Sequence, residues 1–223
     1  MASKIIVGVD ESGRGPVLGP LVMVALAIKE EDEKKLKWLG VKDSKLLSAE
    51  VREDLFERIR EVVTDFRIEI IEPDAIDLSL AEENTNLNWL EADTSARLVS
   101  ELDPDKIIVD CPSRNIPAYK DYFVNKLSEA VSQKAEVIME HKADLNHLIV
   151  AAASIIAKVI RDRQVNHIKS EIGVDFGSGY LTDKKTQDFL ENYHQQYSHL
   201  FRKEWKSYQN IEKKKRQKTL QNF

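Results

Sequence analysis

Apolar and polar positions switch between two periods along the chain, and the switches mark out its elements. Residues 4–9 form a short β-branched run and residues 21–28 a second, separated by a Gly/Pro-rich turn. Runs of this length and composition predict strands. Residues 31–39 read as a short charged helix that stops at Gly40. Ser48 is a candidate N-cap for a helix on which Val51, Leu55, Ile59 and Val62 recur every three or four positions. Phe66, Ile68 and Ile70 alternate with Arg67 and Glu69, the period of a half-buried strand. Pro73 opens a short helix, residues 87–102 make a longer one, and Ile107-Ile108-Val109 is a buried strand ending in Asp110. A helix, a strand over 135–139 and a long helix from about 145 to 172 follow, then a Gly-Ser-Gly-Tyr loop and two more helices.

Strands separated by helices predict an α/β sheet with helices packed on both faces. The close spacing of the first three strands permits hairpins among them, so the expected sheet is mixed. Neither a repeat nor a low-complexity linker interrupts the pattern before about residue 195. The expected organisation is one α/β domain over 1–195, a basic helical extension over 196–216 and a terminal segment over 217–223.

Composition narrows this picture. The 223 residues are 42% hydrophobic and 32% charged, an ordinary balance for a globular chain, which excludes global disorder and a collagen-like repeat. The single cysteine, Cys111, cannot form an internal bridge. The longest apolar runs, 21–28 and 148–157, fall far short of the ~20 residues of a membrane span. The N-terminus enters a strand followed at once by two acids, unlike a signal peptide, so a cytoplasmic protein is expected. Charge is unevenly placed. Residues 202–218 hold eight bases and two acids on a chain of net charge −5, which leaves −11 on the remainder. A basic arm on an acidic body suits contact with polyanions, and a solvated charged helix explains the same pattern equally well.

The acids carry the candidate chemistry. Asp10-Glu11 closes the first strand, just before Ser12-Gly13-Arg14-Gly15-Pro16. Adjacent strand residues point to opposite faces, so the two converge only if the backbone turns between or just after them, which the Gly-rich loop permits. In isolation such a pair more commonly caps a helix or meets a surface base. Asp110 also follows an apolar strand, and strand ends are where sites assemble in α/β sheets. Asp144 follows a further strand at the mouth of the long helix, where an N-cap role is also open. Four acids at element boundaries repel one another unless cations neutralise them, and hard oxygen donors select Mg²⁺ or Mn²⁺ over zinc. Gly13-Arg14-Gly15 is not a dinucleotide fingerprint: the spacing to Gly19 is wrong, and Pro16 and Pro20 interrupt any helix.

The strings Asp10-Glu11-Ser12-Gly13-Arg14-Gly15-Pro16-Val17-Leu18-Gly19-Pro20, Lys42-Asp43-Ser44-Lys45, His141-Lys142-Ala143-Asp144, Ala152-Ala153-Ser154-Ile155-Ile156-Ala157-Lys158 and Gly177-Ser178-Gly179-Tyr180 resemble, in order, the motifs of type 2 ribonuclease H (ribonuclease HII), in its short archaeal form. Trp205 matches a C-terminal Trp-Lys element. The resemblance implies a ribonuclease H-like mixed sheet flanked by helices, with residues 1–195 as the catalytic domain. It implies cleavage of RNA in RNA–DNA hybrids and 5′ of ribonucleotides embedded in duplex DNA, leaving 3′-hydroxyl and 5′-phosphate ends. Asp10, Glu11, Asp110 and Asp144 would be the active-site carboxylates holding two divalent ions, Mg²⁺ or Mn²⁺, with Asp10 bridging them. Gly13, Arg14 and Gly15 would read the 2′-hydroxyl that distinguishes RNA from DNA. Tyr180 would pack on the sugar beside the scissile bond, and Ser44, Lys45, Ser154 and Lys158 would contact phosphates.

The chain departs from the family pattern in places. Leu145-Asn146-His147-Leu148 follows Asp144 where an aromatic-Pro pair is common, and Leu181 replaces the usual Pro after Tyr180. The last seven residues fit Gln-x-x-Leu-x-x-Phe, with Gln217, Leu220 and Phe223. This resembles the peptide by which replication proteins bind sliding clamps of the proliferating-cell nuclear antigen type. Among other readings, an actin-like ATPase or sugar kinase needs two such domains, for which the length leaves no room. A binding-only module would not need all four acids. The expected protein is a nuclease active as a monomer, with no membrane partner.

Overall fold

The computed structural model describes residues 3–41 and 47–220, with side chains described to residue 213. Among the described residues, five strands form one sheet: β1 (Ile5–Ser12), β2 (Leu21–Lys29), β3 (Asp65–Ile71), β4 (Lys106–Asp110) and β5 (Glu136–Glu140), in the order β3-β2-β1-β4-β5. Strand β1 runs antiparallel to β2 and parallel to β4, and β4 runs parallel to β5, so the sheet is mixed as expected. The helices are α1 (Glu33–Trp38), α2 (Ala49–Val62), α3 (Pro73–Ala81), α4 (Leu87–Ser100), α5 (Ile116–Lys126), α6 (Glu129–Lys134), α7 (Ala143–Asn146), α8 (Leu148–Ile172), α9 (Lys184–Tyr193) and α10 (Lys206–Leu220). No helix among the described residues is long and apolar enough to cross a membrane.

The chain packs as two compact units built from interleaved segments. The first holds residues 1–12, 22–70 and 88–161, with the sheet at its centre. Residues 21–28 of β2 are all buried, because a strand paired on both edges and covered on both faces exposes no side. Val22, Val24, Leu26 and Ile28 pack with Ile149, Val150, Ala152, Ala153 and Ile156 of α8 and with Leu55, Phe56 and Ile59 of α2. Helix α2 starts where its cap permits: Val51 N–H donates to Ser48 Oγ at 3.3 Å.

The second unit holds residues 13–21, 71–87 and 162–223. Its core gathers Val17, Leu18, Phe176, Phe189, Leu200 and Phe201. Phe189 is the hub, with ring centroids 5.4 Å from Phe176 and 5.6 Å from Phe201. Helix α3 is held by polar contacts, Lys203 N–H donating to Asp77 Oδ2 at 2.8 Å and Lys203 Nζ meeting Asp74 at 2.9 Å. The interleaving explains why the hydropathy pattern contains no linear boundary between the units.

Candidate active site

Parallel register brings the acids of the first unit together. Val9 pairs with Val109, so one step further places Asp10 beside Asp110 at the C-terminal ends of neighbouring strands. Asp110 in turn pairs with Glu140 at the end of β5. The chain then turns through Lys142 in the left-handed region, at φ 59°, which returns Ala143 N–H to Asp110 Oδ1 at 3.2 Å. The one-turn helix α7 that begins there carries Asp144, which is buried like Asp10.

The environment of Asp10 records this crowding. Burial, first, and the neighbouring Asp110 carboxylate, second, push its carboxyl up to about 7. Hydrogen bonds from the Ser154 side chain and from Glu11 N–H, the latter at 2.8 Å, oppose that rise, and Asp144 adds to it. Asp10 therefore senses two of the other three candidate carboxylates. Glu11 differs. Strand β1 continues through Ser12 because Asp10, Glu11 and Ser12 pair with Val24, Met23 and Val22, so the backbone does not turn between the acids. The Glu11 charge is felt at Cys111, where burial is the main cause of a raised thiol pKa.

Ser154, which the resemblance assigned to phosphate, stands on α8 with its side chain bonded to Asp10. Lys158 lies one turn further along the same face, half-buried. Neither histidine near the site is idle. His141 Nδ1 lies 3.0 Å from the Cys111 carbonyl, and His147 Nε2 lies 3.1 Å from Glu140 Oε1. Asn146 Nδ2 donates to that same oxygen at 2.9 Å. The residues in place of the aromatic-Pro pair thus tie the end of α7 to the end of β5, and Glu140 is a site-edge carboxylate the sequence reading passed over.

A second group of candidates assembles within the second unit. Gly13 and Gly19 bracket a loop at φ 90° and 83°, backbone conformations that side chains other than glycine rarely adopt. A Cβ on Gly15 would lie 3.4 Å from Tyr180 Cε1, so the loop and the tyrosine ring are in contact. Val17 N–H donates to Gly179 O at 2.9 Å, joining the two loops. Tyr180 keeps 38% of its surface exposed, more than a core aromatic would. The tyrosine loop is braced by Asp183, which accepts from Ser178 N–H at 2.8 Å, and by Thr186, which accepts from Gly179 N–H at 3.0 Å and donates to Phe176 O at 2.8 Å. Arg202 sits beneath the first loop with no exposure. Sequence reasoning counted Arg202 only among the surface bases, although its place directly after Leu200-Phe201 is a sign of burial. Ser44, Lys45 and Phe223 lie outside the described residues, and Gln217 and Leu220 fall in the C-terminal part of α10.

Comparison with known proteins follows from this geometry. The structure matches the ribonuclease H2 of Pyrococcus horikoshii OT3 with a TM-score of 0.85 and 37% identity, covering 95% of this chain and 99% of that one. It matches the ribonuclease HII of Archaeoglobus fulgidus, solved in a PCNA:RNase HII complex, with a TM-score of 0.79 and 37% identity over 91% of this chain and 95% of that one. The fold is that of the type 2 ribonucleases H. The sequence narrows it further: the ribonuclease HII family profile matches residues 7–208. The ribonuclease HII of Pyrococcus abyssi (strain GE5 / Orsay) is 38% identical over 223 residues, 98% of this chain and 96% of that protein. The chain belongs to the ribonuclease HII family, hydrolases that cut RNA in RNA–DNA hybrids.

The family implies divalent metal, and the donor set fits one. Every candidate ligand is a hard carboxylate oxygen, and Asp10, pushed toward neutrality by burial first and by the Asp110 charge second, is the site a cation would relieve. Among the described residues no three ligand side chains yet converge at coordinating distance.

Proposed function

We propose that this chain is a metal-dependent endoribonuclease that cuts the RNA strand of hybrids and nicks duplex DNA on the 5′ side of embedded ribonucleotides, leaving 3′-hydroxyl and 5′-phosphate ends. The observation that carries the proposal is the row of acids at the strand ends, Asp10 beside Asp110 in parallel register with Asp144 close enough to raise the Asp10 carboxyl. Asp10, Glu11, Asp110 and Asp144 would hold the metal. Two Mg²⁺ or Mn²⁺ ions, when bound, supply an activated water and neutralise charge on the leaving 3′ oxygen. Ser154 orients the Asp10 carboxylate through its hydrogen bond. Lys158, with Ser44 and Lys45, takes backbone phosphates and sets the register of the duplex without reading sequence. Gly13, Arg14 and Gly15 approach the 2′-hydroxyl through backbone groups, and Tyr180, partly exposed against Gly15, packs on the adjoining sugar. The activity suits removal of RNA primers and of misincorporated ribonucleotides by a monomeric enzyme.

A DNA duplex carrying one ribonucleotide, with an all-DNA control, tests this directly. Nicking 5′ of the ribonucleotide with Mg²⁺ or Mn²⁺, none with chelator and none in the control is the expected outcome. Cleavage of continuous hybrid alone would withdraw the roles of Gly13, Arg14, Gly15 and Tyr180 at single ribonucleotides.

Clamp binding extends the proposal. Gln217, Leu220 and Phe223 have the spacing of a clamp-binding peptide, and the Archaeoglobus fulgidus relative was solved with PCNA. Deleting residues 217–223 is expected to abolish co-elution with a sliding clamp while turnover on short duplexes stays within about twofold, since surface changes away from a site usually cost under ~0.5 kcal/mol. Co-elution that survives the deletion places the clamp contact elsewhere.

A further inference from the structure

The guanidinium of Arg202 donates to three backbone carbonyls of one loop. Nη2 donates to Gly13 O at 2.6 Å and Gly19 O at 2.9 Å, Nη1 to Arg14 O at 2.9 Å, and Nε to Gly19 O at 3.1 Å. Its own backbone N–H donates to Val17 O at 2.9 Å. The Arg202 guanidinium carbon also lies 4.9 Å from the ring centroid of Trp205, a cation–π contact that fixes the plane of the fork. Only arginine offers a rigid planar fan of donors wide enough to hold three carbonyls at once.

Holding those carbonyls has a consequence on the other side of the loop. Among the described residues there are no cis peptide bonds, and across a trans peptide the C=O and the next N–H point in opposite directions. With Gly13 O and Arg14 O drawn toward Arg202, the N–H groups of Arg14 and Gly15 are turned away from it. Two successive backbone donors facing the same way form a nest for an oxygen ligand. The ring of Tyr180 stands beside Gly15, against that segment.

We infer that Arg202 is the positioning residue that presents the Arg14 and Gly15 amides to the 2′-hydroxyl oxygen, and so sets ribonucleotide selectivity without touching the substrate. The inference rests on the proposed reading of residues 13–15 and assigns that reading its structural cause. A surface arginine at this position would only add to phosphate affinity. Arg202 has no exposure from which to do so.

The test measures selectivity in binding, separated from turnover. In chelator, fluorescence anisotropy gives the Kd of a duplex with one ribonucleotide and of its all-DNA counterpart, for the full chain and for Arg202→Lys and Arg202→Met. Arg202→Lys keeps the charge and loses the fork. The expected result is that folded Arg202→Lys loses about tenfold of the ribonucleotide preference while all-DNA affinity stays near that of the unchanged chain. A folded variant that keeps the full preference overturns the role of Arg202 alone. A lack of preference in the unchanged chain overturns the reading of the loop, and this inference with it. Should both variants fail to fold, amide NMR of the unchanged protein decides. Shifts of the Arg14 and Gly15 resonances with the ribonucleotide duplex and not with all-DNA support the inference, and unmoved resonances overturn it.

Discussion

Asp10→Asn is expected to reduce metal-dependent cleavage of an RNA–DNA hybrid by about a thousandfold or more, ~4 kcal/mol of barrier, while hybrid binding persists. The amide keeps the shape of the carboxyl and removes a charge proposed to hold the metal. A second effect is visible without catalysis. The Asp10 carboxyl sits at about 7 in the folded chain, against 3.8 as the ordinary value, through burial and then the Asp110 charge. The folded state therefore holds this proton more tightly than the unfolded chain does. In chelator, its contribution to stability is fully present below about pH 4 and is lost as pH rises through about 7. At about 1.36 kcal/mol per pKa unit the loss is on the order of a few kcal/mol. Denaturant melts in chelator should thus show stability falling from about pH 4 to just above pH 7 in roughly that amount, and the asparagine variant should lack this slope. Added Mg²⁺ or Mn²⁺ should restore stability at pH 8 in the unchanged chain and much less in the variant. A variant that cuts hybrid at a near-normal rate would remove Asp10 from the metal site.

Much of this site was legible because its acids sit where patterns end. Asp10 and Asp110 each close an apolar run, and a strand that stops at an acid in an α/β chain puts that acid at the sheet edge. What periodicity could not supply was the path after the strand. Strand β1 persists three residues beyond the run at 4–9, since pairing with Val22, Met23 and Val24 holds it extended through both acids. The long helix expected from about 145 begins at Leu148 instead, after the separate turn of α7. That break is fixed by the left-handed Lys142 and by Glu140 gripping Asn146 and His147, contacts between residues that no helical or strand period links. Arg202 was hidden for a different reason. Charge counting cannot tell a base in solvent from one buried under a loop, and residues 202–218 hold both kinds of position. The interleaving of the two units is likewise a property of the folded chain and not of any linear stretch.

Gly8 shows how packing supports the chemistry two residues away. It lies in the middle of β1, paired with Leu26 on one side and Ile108 on the other. A Cβ there would come within 2.7 Å of Ile149 C and 2.8 Å of Ile149 O and Val150 N, all backbone atoms of the first turn of α8. Backbone cannot rotate aside as a side chain can, so either the strand or the buried helix must move. Gly8 and Asp10 face the same side of the sheet, and Ser154 of α8 bonds Asp10. The spacings agree: two strand residues span ~6.8 Å and the five helical steps from Ile149 to Ser154 span ~7.5 Å. Close approach at Gly8 is thus what lets Ser154 reach Asp10. Gly8→Ala is expected to cost about 3 kcal/mol or more, the upper end for overpacking, and to lower Tm by roughly 6–12 °C for a chain of this size. Cleavage per folded molecule should fall as well, because the helix that orients Asp10 is displaced. Gly40→Ala is the control. Its φ of 76° makes it strained, yet no atom of the described residues lies within 4 Å of the added Cβ, so its expected cost is that of the backbone, about 1–2 kcal/mol. Equal losses from the two substitutions would mean that α8 does not press on β1 at Gly8. A larger loss at Gly8, with activity falling beyond the loss of folded protein, ties the Asp10 site to that contact.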